Sequence, residues 1–441
     1  MHKYISFNNQ FNSDSKLSIH MNKYSRIAAI VAALVAGSAV QARPTAVTQT
    51  VIRITGSTAF RSAVFNALKN DYFDSTPTLV PSSANASSSQ VTFVGTKSSV
   101  FGANQVVVET AYSGSVEGLV NVLGTSSSSP VAQPTFLSSG GTNDPVTAAD
   151  LALSDVAQNT TLFSISSYGK APEYSADPTN YAGQGIGIVT FSFVANRNSG
   201  NLVSNITSDQ FQELASNGSL SQGYFTGDNT DSTPVYLTGR YPFSGTRLTV
   251  GIVTGLGANS GQVLYSASGS NALTGNDVAQ PGSNVGTTWD GTGDNGGGYV
   301  SGGSVARVLN NSSQANVIIG YLGLGDVRNA KSTDNSVVQS LLDKLITYNG
   351  VTASKANVIA GTYDLWSYER LFGRKTLVTG SAPLSDVTKF VNGNVVNHPA
   401  ITSNGFIKAL DTEIQADLDY VSLTQATATR QADGGVVAPQ F

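Results

Sequence analysis

The sequence predicts an α/β protein, with short strands alternating with helices along most of its length. Three observations carry that prediction. Runs rich in β-branched and aromatic residues, at 51–55, 105–110, 185–195, 235–237 and 317–321, read as strands. Segments with apolar residues every three or four positions follow several of them. At three places a strand enters a turn of Gly, Ser and Thr that opens directly into a helical pattern.

Taken in order, the strand at 51–55 runs into Gly56-Ser57-Thr58-Ala59-Phe60, and a helical pattern over 58–68 spaces Phe60, Val64 and Leu68 by four. An ordinary βα turn and an anion cradle both fit this junction. Residues 71–104 are Ser/Thr/Asn-rich and predict one strand, at 91–94. The strand at 105–110 leads through Tyr112-Ser113-Gly114-Ser115 into a helix over 116–123. Residues 124–141 are of low complexity and read as a surface loop. A short buried strand at 151–155 ends in Asp155, a position that a simple turn residue also fits.

Residues 185–195 give the strongest strand signal in the chain. A helix follows from 205–211, with Thr207 or Ser208 at its cap and Phe211 and Leu214 on its apolar stripe. Residues 257–303 are Gly, Ser and Asn with little periodicity and predict an insertion loop. Within it, 290–296 faintly resembles a calcium loop, but Asn295 stands at the glycine position and the final acid is missing. A buried strand at 317–321, a helix at 336–346, an aromatic-rich stretch at 363–372 and an amphipathic helix at 406–420 complete the series.

The stretch 233–247 carries the most chemistry. A strand, Val235-Tyr236-Leu237, ends in a Gly-containing turn, and Ser244-Gly245-Thr246 opens an apolar helical run at 248–256. A helix start presents unpaired backbone N–H groups, which favour an anion, and the hydroxyls of Ser244 and Thr246 add donors. Arg240 lies just upstream, where its fork can grip two oxygens of one oxyanion. A capped helix beside a surface arginine fits the same residues.

Composition narrows the classes. At 441 residues the chain is long enough for two or three domains. Lys3, Lys16, Lys23 and Arg26 against Asp14 give residues 1–42 a charge of +3, which leaves −7 on the remainder of a chain whose total is −4. That acidic balance argues against a nucleic-acid partner. There is no Cys, so thiolate chemistry and disulfides are excluded. Of three histidines only His398 lies beyond residue 42, in a turn-like Asn397-His398-Pro399, which argues against a Ser-His-Asp triad and histidine-rich zinc sites. Residues 1–42 read as a secretory signal peptide, with a basic stretch from Met21, an apolar run at 27–40 and a small-residue cleavage site at 40–42. Translation starting at Met21 fits that pattern. No later run is long enough to span a membrane. The expected product is exported, periplasmic or secreted, without a lipid anchor.

These motifs, in their order, resemble the phosphate-type substrate-binding proteins of ABC importers. The likeness rests on 55–60 (TGSTAF), 112–115 (YSGS), 149–155 (ADLALSD), 205–211 (NITSDQF), Gly239-Arg240 with 244–247 (SGTR), and 319–323 (IGYLG). It covers most of the chain after the leader, with insertions near 71–104, 124–147 and 257–303. It implies a two-lobed type 2 periplasmic binding fold with a ligand cleft between the lobes. Residues 43–184 would form the first part of lobe 1, 185–360 lobe 2, and 361–441 the return to lobe 1. The crossovers near 185–195 and before Tyr363 would act as hinges. The resemblance implies that Ser57, Thr58, Ala59, Phe60 and Ser115 hold an oxyanion from lobe 1, and that Arg240, Ser244, Gly245 and Thr246 hold it from lobe 2. Asp155 would accept a hydrogen bond from a protonated oxyanion, which admits phosphate and turns sulfate away. The implied partners are inorganic phosphate or a related oxyanion and an ABC permease, with the protein a monomer needing no cofactor or metal.

Two places depart from the family pattern. Tyr241-Pro242-Phe243 replaces a smaller, more polar link, and Glu117 stands near Ser115, where a carboxylate would oppose an anion. Two other functions are weighed beside capture and delivery of an oxyanion. A surface or matrix protein could reuse the scaffold for adhesion, which the long Gly/Ser/Asn insertions and the missing anchor favour. A phosphatase-like enzyme lacks a metal cluster, a catalytic His and a nucleophile in the sequence.

Overall fold

The computed structural model describes residues 48–122, 134–144, 149–157, 160, 184–200, 202–258, 260–265, 298–312, 315–331, 338–373, 385–393, 404–435 and 437–439. The leader at 1–42, His398 and the loop at 290–296 lie outside them.

Strand β1, Gln49–Gly56, buries Thr50, Ile52 and Ile54 on one face, the period-two pattern its residues dictate. The chain bends through Ser57 to Phe60, and helix α1 spans Arg61–Asn66, continued as a wider turn over Ala67–Tyr72. The expected start at Thr58 is therefore three residues early, because Phe60 occupies the cap position. Next come β2 (Thr78–Val80), β3 (Gln90–Thr96), α2 (Ser98–Phe101), β4 (Gln105–Ala111), α3 (Ser115–Val122), β5 (Leu151–Ser154) and β6 (Gln184–Ala195). Residues 71–104 thus hold an antiparallel pair, β2 on β3, where one strand was expected.

The chain continues through β7 (Asn205–Ile206), α4 (Ser208–Asn217), β8 (Ser219–Ser221), α5 (Gly223–Thr226), β9 (Pro234–Leu237), α6 (Gly245–Val253), α7 (Gly302–Asn311), β10 (Ile318–Gly323), α8 (Leu324–Arg328) and β11 (Leu345–Tyr348). Helix α4 takes Thr207, one of the two expected candidates, as its cap, and closes a box in which Thr207 caps Gln210 N and the Gln210 side chain returns to the Thr207 backbone. The last elements are α9 (Lys355–Ile359), β12 (Trp366–Gly373), α10 (Asp386–Asn392), α11 (Phe406–Ala416), β13 (Tyr420–Val421), β14 (Ala428–Thr429) and β15 (Ala438–Pro439).

The helix expected at 336–346 is not formed by its described residues. Residues 342–344 make one short 3-10 turn, and β11 then pairs antiparallel with β6, Leu345 beside Val194 and Ile346 beside Phe193. The apolar spacing suits a helix, but pairing with a buried strand overrides it. Helix α11 stops at Ala416, so Tyr420 lies in a strand rather than in the expected helix. Helix α7 begins at the end of the expected insertion, and residues 260–265 and 298–300 pack against the fold: Tyr265 N donates to Leu237 O at 2.8 Å and Tyr299 N to Gly239 O at 2.9 Å.

The main sheet runs β2-β3-β4-β1-β5-β12-β6-β10-β9-β8, so the protein is of the α/β class and falls into two halves about β6. Strand β6 pairs with β12 along residues 184–190 and with β10 along 191–195, and so hands the sheet from one half to the other. In the first half β1 lies between two parallel neighbours, β4 and β5. The strand order reverses here, since from β1 the chain runs out to β2, β3 and β4 on one side and then crosses to β5 on the other, the kind of position where open α/β sheets hold ligands at strand carboxyl ends. In the second half β9 and β10 are parallel, and the chain after β9 reaches Arg240 and α6. Among the described residues no helix is long and apolar enough to cross a membrane.

Candidate functional site

Register brings the carboxyl ends of β1, β4 and β5 together. Thr55 stands beside Ala111 on one side and Ala152 on the other. The turns that follow, Ser57 to Phe60, Tyr112 to Ser115, and Asp155, therefore share one sheet edge. Gly56 takes φ +108°, a conformation that favours glycine, and a Cβ there would lie 2.1 Å from Leu153 O. That close approach lets Ser57 N donate to Leu153 O at 2.8 Å and Gly114 N donate to Gly56 O at 2.9 Å.

Asp155 is buried, 1% exposed, and gathers hydroxyls from both halves. The Ser115 hydroxyl, at the first residue of α3, donates to its Oδ1, and Thr246 Oγ1 donates to its Oδ2 at 3.2 Å. Burial raises the Asp155 carboxyl above the ordinary range, and Ser115, Arg240 and Thr246 pull it back.

Arg240 is also buried, 1% exposed, so the surface-arginine alternative is excluded. Its Nη1 donates to Thr246 Oγ1 at 3.3 Å and its Nη2 to Thr58 Oγ1 at 3.1 Å. Nε donates to Tyr299 O at 3.1 Å and Nη2 also to Val300 O at 2.8 Å. Burial lowers the guanidinium below its ordinary value while Asp326 and Asp155 hold it up. The fork thus joins hydroxyls from the two halves, and through Thr246 it reaches the Asp155 carboxylate.

Ser244 is the cap of α6, its Oγ accepting from Arg247 N at 3.3 Å. Gly245 follows, and a Cβ there would fall 1.6 Å from Asp155 Oδ1 and 2.9 Å from Ser115 Cβ. Only a bare α-carbon fits between the helix start and the carboxylate. Ala59 and Phe60 are engaged differently: Ala59 O accepts from Tyr420 Oη at 2.9 Å, and the Phe60 ring meets the Tyr420 ring edge-on with centroids 5.0 Å apart. Ser57 is fully buried in the same turn.

Three groups at the site are absent from the sequence-based expectation: Glu369 and two backbone carbonyls. Glu369, fully buried on β12, follows from the register that pairs Arg370 with Ser154 and so sets Glu369 across from Asp155. Burial first, then the Asp155 charge, push the Glu369 carboxyl well above the ordinary range, against a lowering by Ser57. The Ser57 hydroxyl stands beside it without closing a hydrogen bond of good geometry. The backbone carbonyls of Tyr299 and Val300, at the end of the insertion, cover Arg240. The departure at 241–243 also gains a reason: Tyr241 and Phe243 pack with Val116, Val120, Val156 and Leu248 in an apolar cluster bridging the halves. Tyr241 Oη donates to Ser113 O at 2.7 Å, and Val116 N donates to Phe243 O at 3.2 Å. Glu117 is half-buried in the first turn of α3, roughly 200° around the helix from Ser115.

No family model matches the sequence, and no curated protein matches it. Several solved structures are similar in chain course. One is described as a substrate-binding protein of a phosphate ABC transporter from Clostridium perfringens, with bound phosphate; it is 13% identical, with a TM-score of 0.41 over 85% of this chain and 100% of that one. An ABC-type phosphate transport receptor from Vibrio cholerae is 14% identical, with a TM-score of 0.37 over 77% of this chain and 90% of that one. A phosphate-binding protein from Stenotrophomonas maltophilia is 14% identical, with a TM-score of 0.38 over 86% and 91%. Likeness at this level leaves the ligand to be read from the geometry of the site.

Proposed function

We propose that the protein captures phosphate or a closely related protonated oxyanion between its two halves and releases it again unchanged. The observation that carries this reading is the buried Arg240 guanidinium, hydrogen-bonded to Thr58 and Thr246, with Thr246 in turn on Asp155. Such a fork with flanking hydroxyls matches the oxygens of a tetrahedral anion. Ser57, Ser115 and the α6 start at Ser244, Gly245 and Thr246 supply further donors, as do the backbones at Ala59 and Phe60. Asp155 accepts from a ligand that still carries a proton, and so favours phosphate over sulfate. A non-binding, adhesive scaffold would leave Asp155 turned away from the second half; its hydrogen bond from Thr246 supports capture instead.

In this reading residues 43–184 and 361–441 form one lobe, residues 185–360 the other, and β6 with the stretch before Tyr363 serves as the hinge. The halves separate to admit the anion and close over it. Export by the leader, a monomeric state and delivery to an ABC permease belong to the same reading.

Calorimetric titration of the protein with phosphate tests it. Arg240→Ala is expected to weaken phosphate binding at least about 30-fold, since one partner of a buried, charge-assisted network is removed. Arg240→Lys, which keeps the charge but loses the planar fork, is expected to fall between the two. Equal affinity in all three proteins would overturn the reading.

A further inference from the structure

A second basic feature lies outside the Arg240 cluster. A pocket of about 360 Å³ is lined from the first half by Arg61 and Tyr112 and from the second by Ser301, Arg307, Asp326 and Lys331, among others. Its volume falls in the range of small-molecule sites, about 300–1,000 Å³.

The charges in this pocket do not balance. Arg61 Nη2 donates to Asp326 Oδ1 at 3.0 Å, and the same carboxylate also faces Arg240, so one negative charge is shared between two arginines. Two cations remain. Arg307 Nε is buried and has no hydrogen-bond partner among the described residues. Lys331 Nζ meets only a neutral oxygen there, donating to Asn85 Oδ1 at 3.0 Å. Burial lowers Arg307 and Lys331, repulsion from Arg307 and then Arg61 lowers Lys331 further, and repulsion from Arg61 lowers Arg307, with no carboxylate among the described residues offsetting either shift. The start of the ten-residue helix α7 adds its positive end, with Ser301 capping Ser304 N at 3.1 Å. Tyr112 is 8% exposed, and its hydroxyl stands beside Thr110 without closing a hydrogen bond of good geometry. It stands on the pocket wall as a donor.

We propose that this pocket, which adjoins the Arg240 cluster, is a second anion site and that it takes a pyrophosphate group. Two unmatched cations, a helix start and the Tyr112 hydroxyl suit two linked phosphates better than one tetrahedral ion. The proposal does not depend on what the Arg240 cluster binds.

The test is titration of the full chain with inorganic pyrophosphate, and separately with ADP, which carries the same group as an ester. The double variant Arg307→Met/Lys331→Met keeps the apolar stems of two side chains that are only half-buried, and its thermal transition checks that it folds. Expected is binding of at least one ligand by the wild type, weakened tenfold or more in the double variant and by Tyr112→Phe to a smaller degree, and retained in Arg240→Ala. The tighter of the two ligands shows whether the group is free or esterified. Orthophosphate titrations of the same proteins report on the Arg240 cluster independently. Absence of binding to both ligands, equal binding by the folded double variant, or loss in Arg240→Ala would overturn the proposal.

Discussion

Asp155 and Glu369 are two buried carboxyls facing each other at one site, and burial drives both toward the protonated form. Glu369 has the weaker support, so it holds its proton to higher pH than the ordinary carboxylate value. The folded state then binds more protons than the unfolded one. Its stabilising effect is complete below the unfolded value of about 4.3 and is lost as pH rises toward the raised folded value. Glu369→Gln, which keeps the shape and removes the titration, is expected to flatten the fall in stability with pH in thermal melts above about pH 5. Identical pH profiles for the two proteins would contradict a buried, titrating Glu369. Asp155 sets a second pH effect. Once protonated it can donate to an unprotonated anion, so discrimination against sulfate is expected to shrink as pH falls through its raised pKa. Asp155→Asn should show weak discrimination at every pH, which competition titrations between the two anions would reveal.

Among the elements, α6 shows how much of the site was legible. Ser244 as cap, Gly245 and Thr246 as the helix start, and Arg240 upstream could be placed from residue type and spacing, because caps and turns are local chemistry. The strands at β1, β4, β5, β6 and β10 were readable for the same reason, through alternation and β-branched content. Glu369 and the carbonyls of Tyr299 and Val300 depend on which strand pairs with which, and no local pattern states that. The alternation of Ser367, Glu369 and Leu371 on the buried face of β12 was the available signal for the glutamate. The 336–346 region misled because its leucines fit helical spacing while long-range pairing with β6 decided the outcome. Gly245→Ala would force a methyl into the Asp155 carboxylate, and is expected to cost about 1–3 kcal/mol of stability and to abolish anion binding. A variant with unchanged melting and unchanged affinity would show that the contact relaxes freely.

At the scale of the molecule, the two halves meet through polar and apolar contacts side by side. The hydrogen bonds of Arg240 and Asp155 form the polar part, and the cluster of Tyr241, Phe243, Val116 and Val120 the apolar part. Capture between halves requires both to part and re-form. Tyr241→Phe, which loses the bond to Ser113 O, is expected to destabilise the closed arrangement by about 1 kcal/mol and to speed phosphate release in stopped-flow measurements. The most direct measurement is equilibrium binding of labelled phosphate to residues 43–441, stripped of bound anion, with sulfate as competitor. Saturable uptake that sulfate does not displace and that Arg240→Ala loses is expected. A folded protein that takes up no phosphate, or that yields it equally to sulfate, would contradict the assignment of Arg240 and Asp155 to a phosphate site.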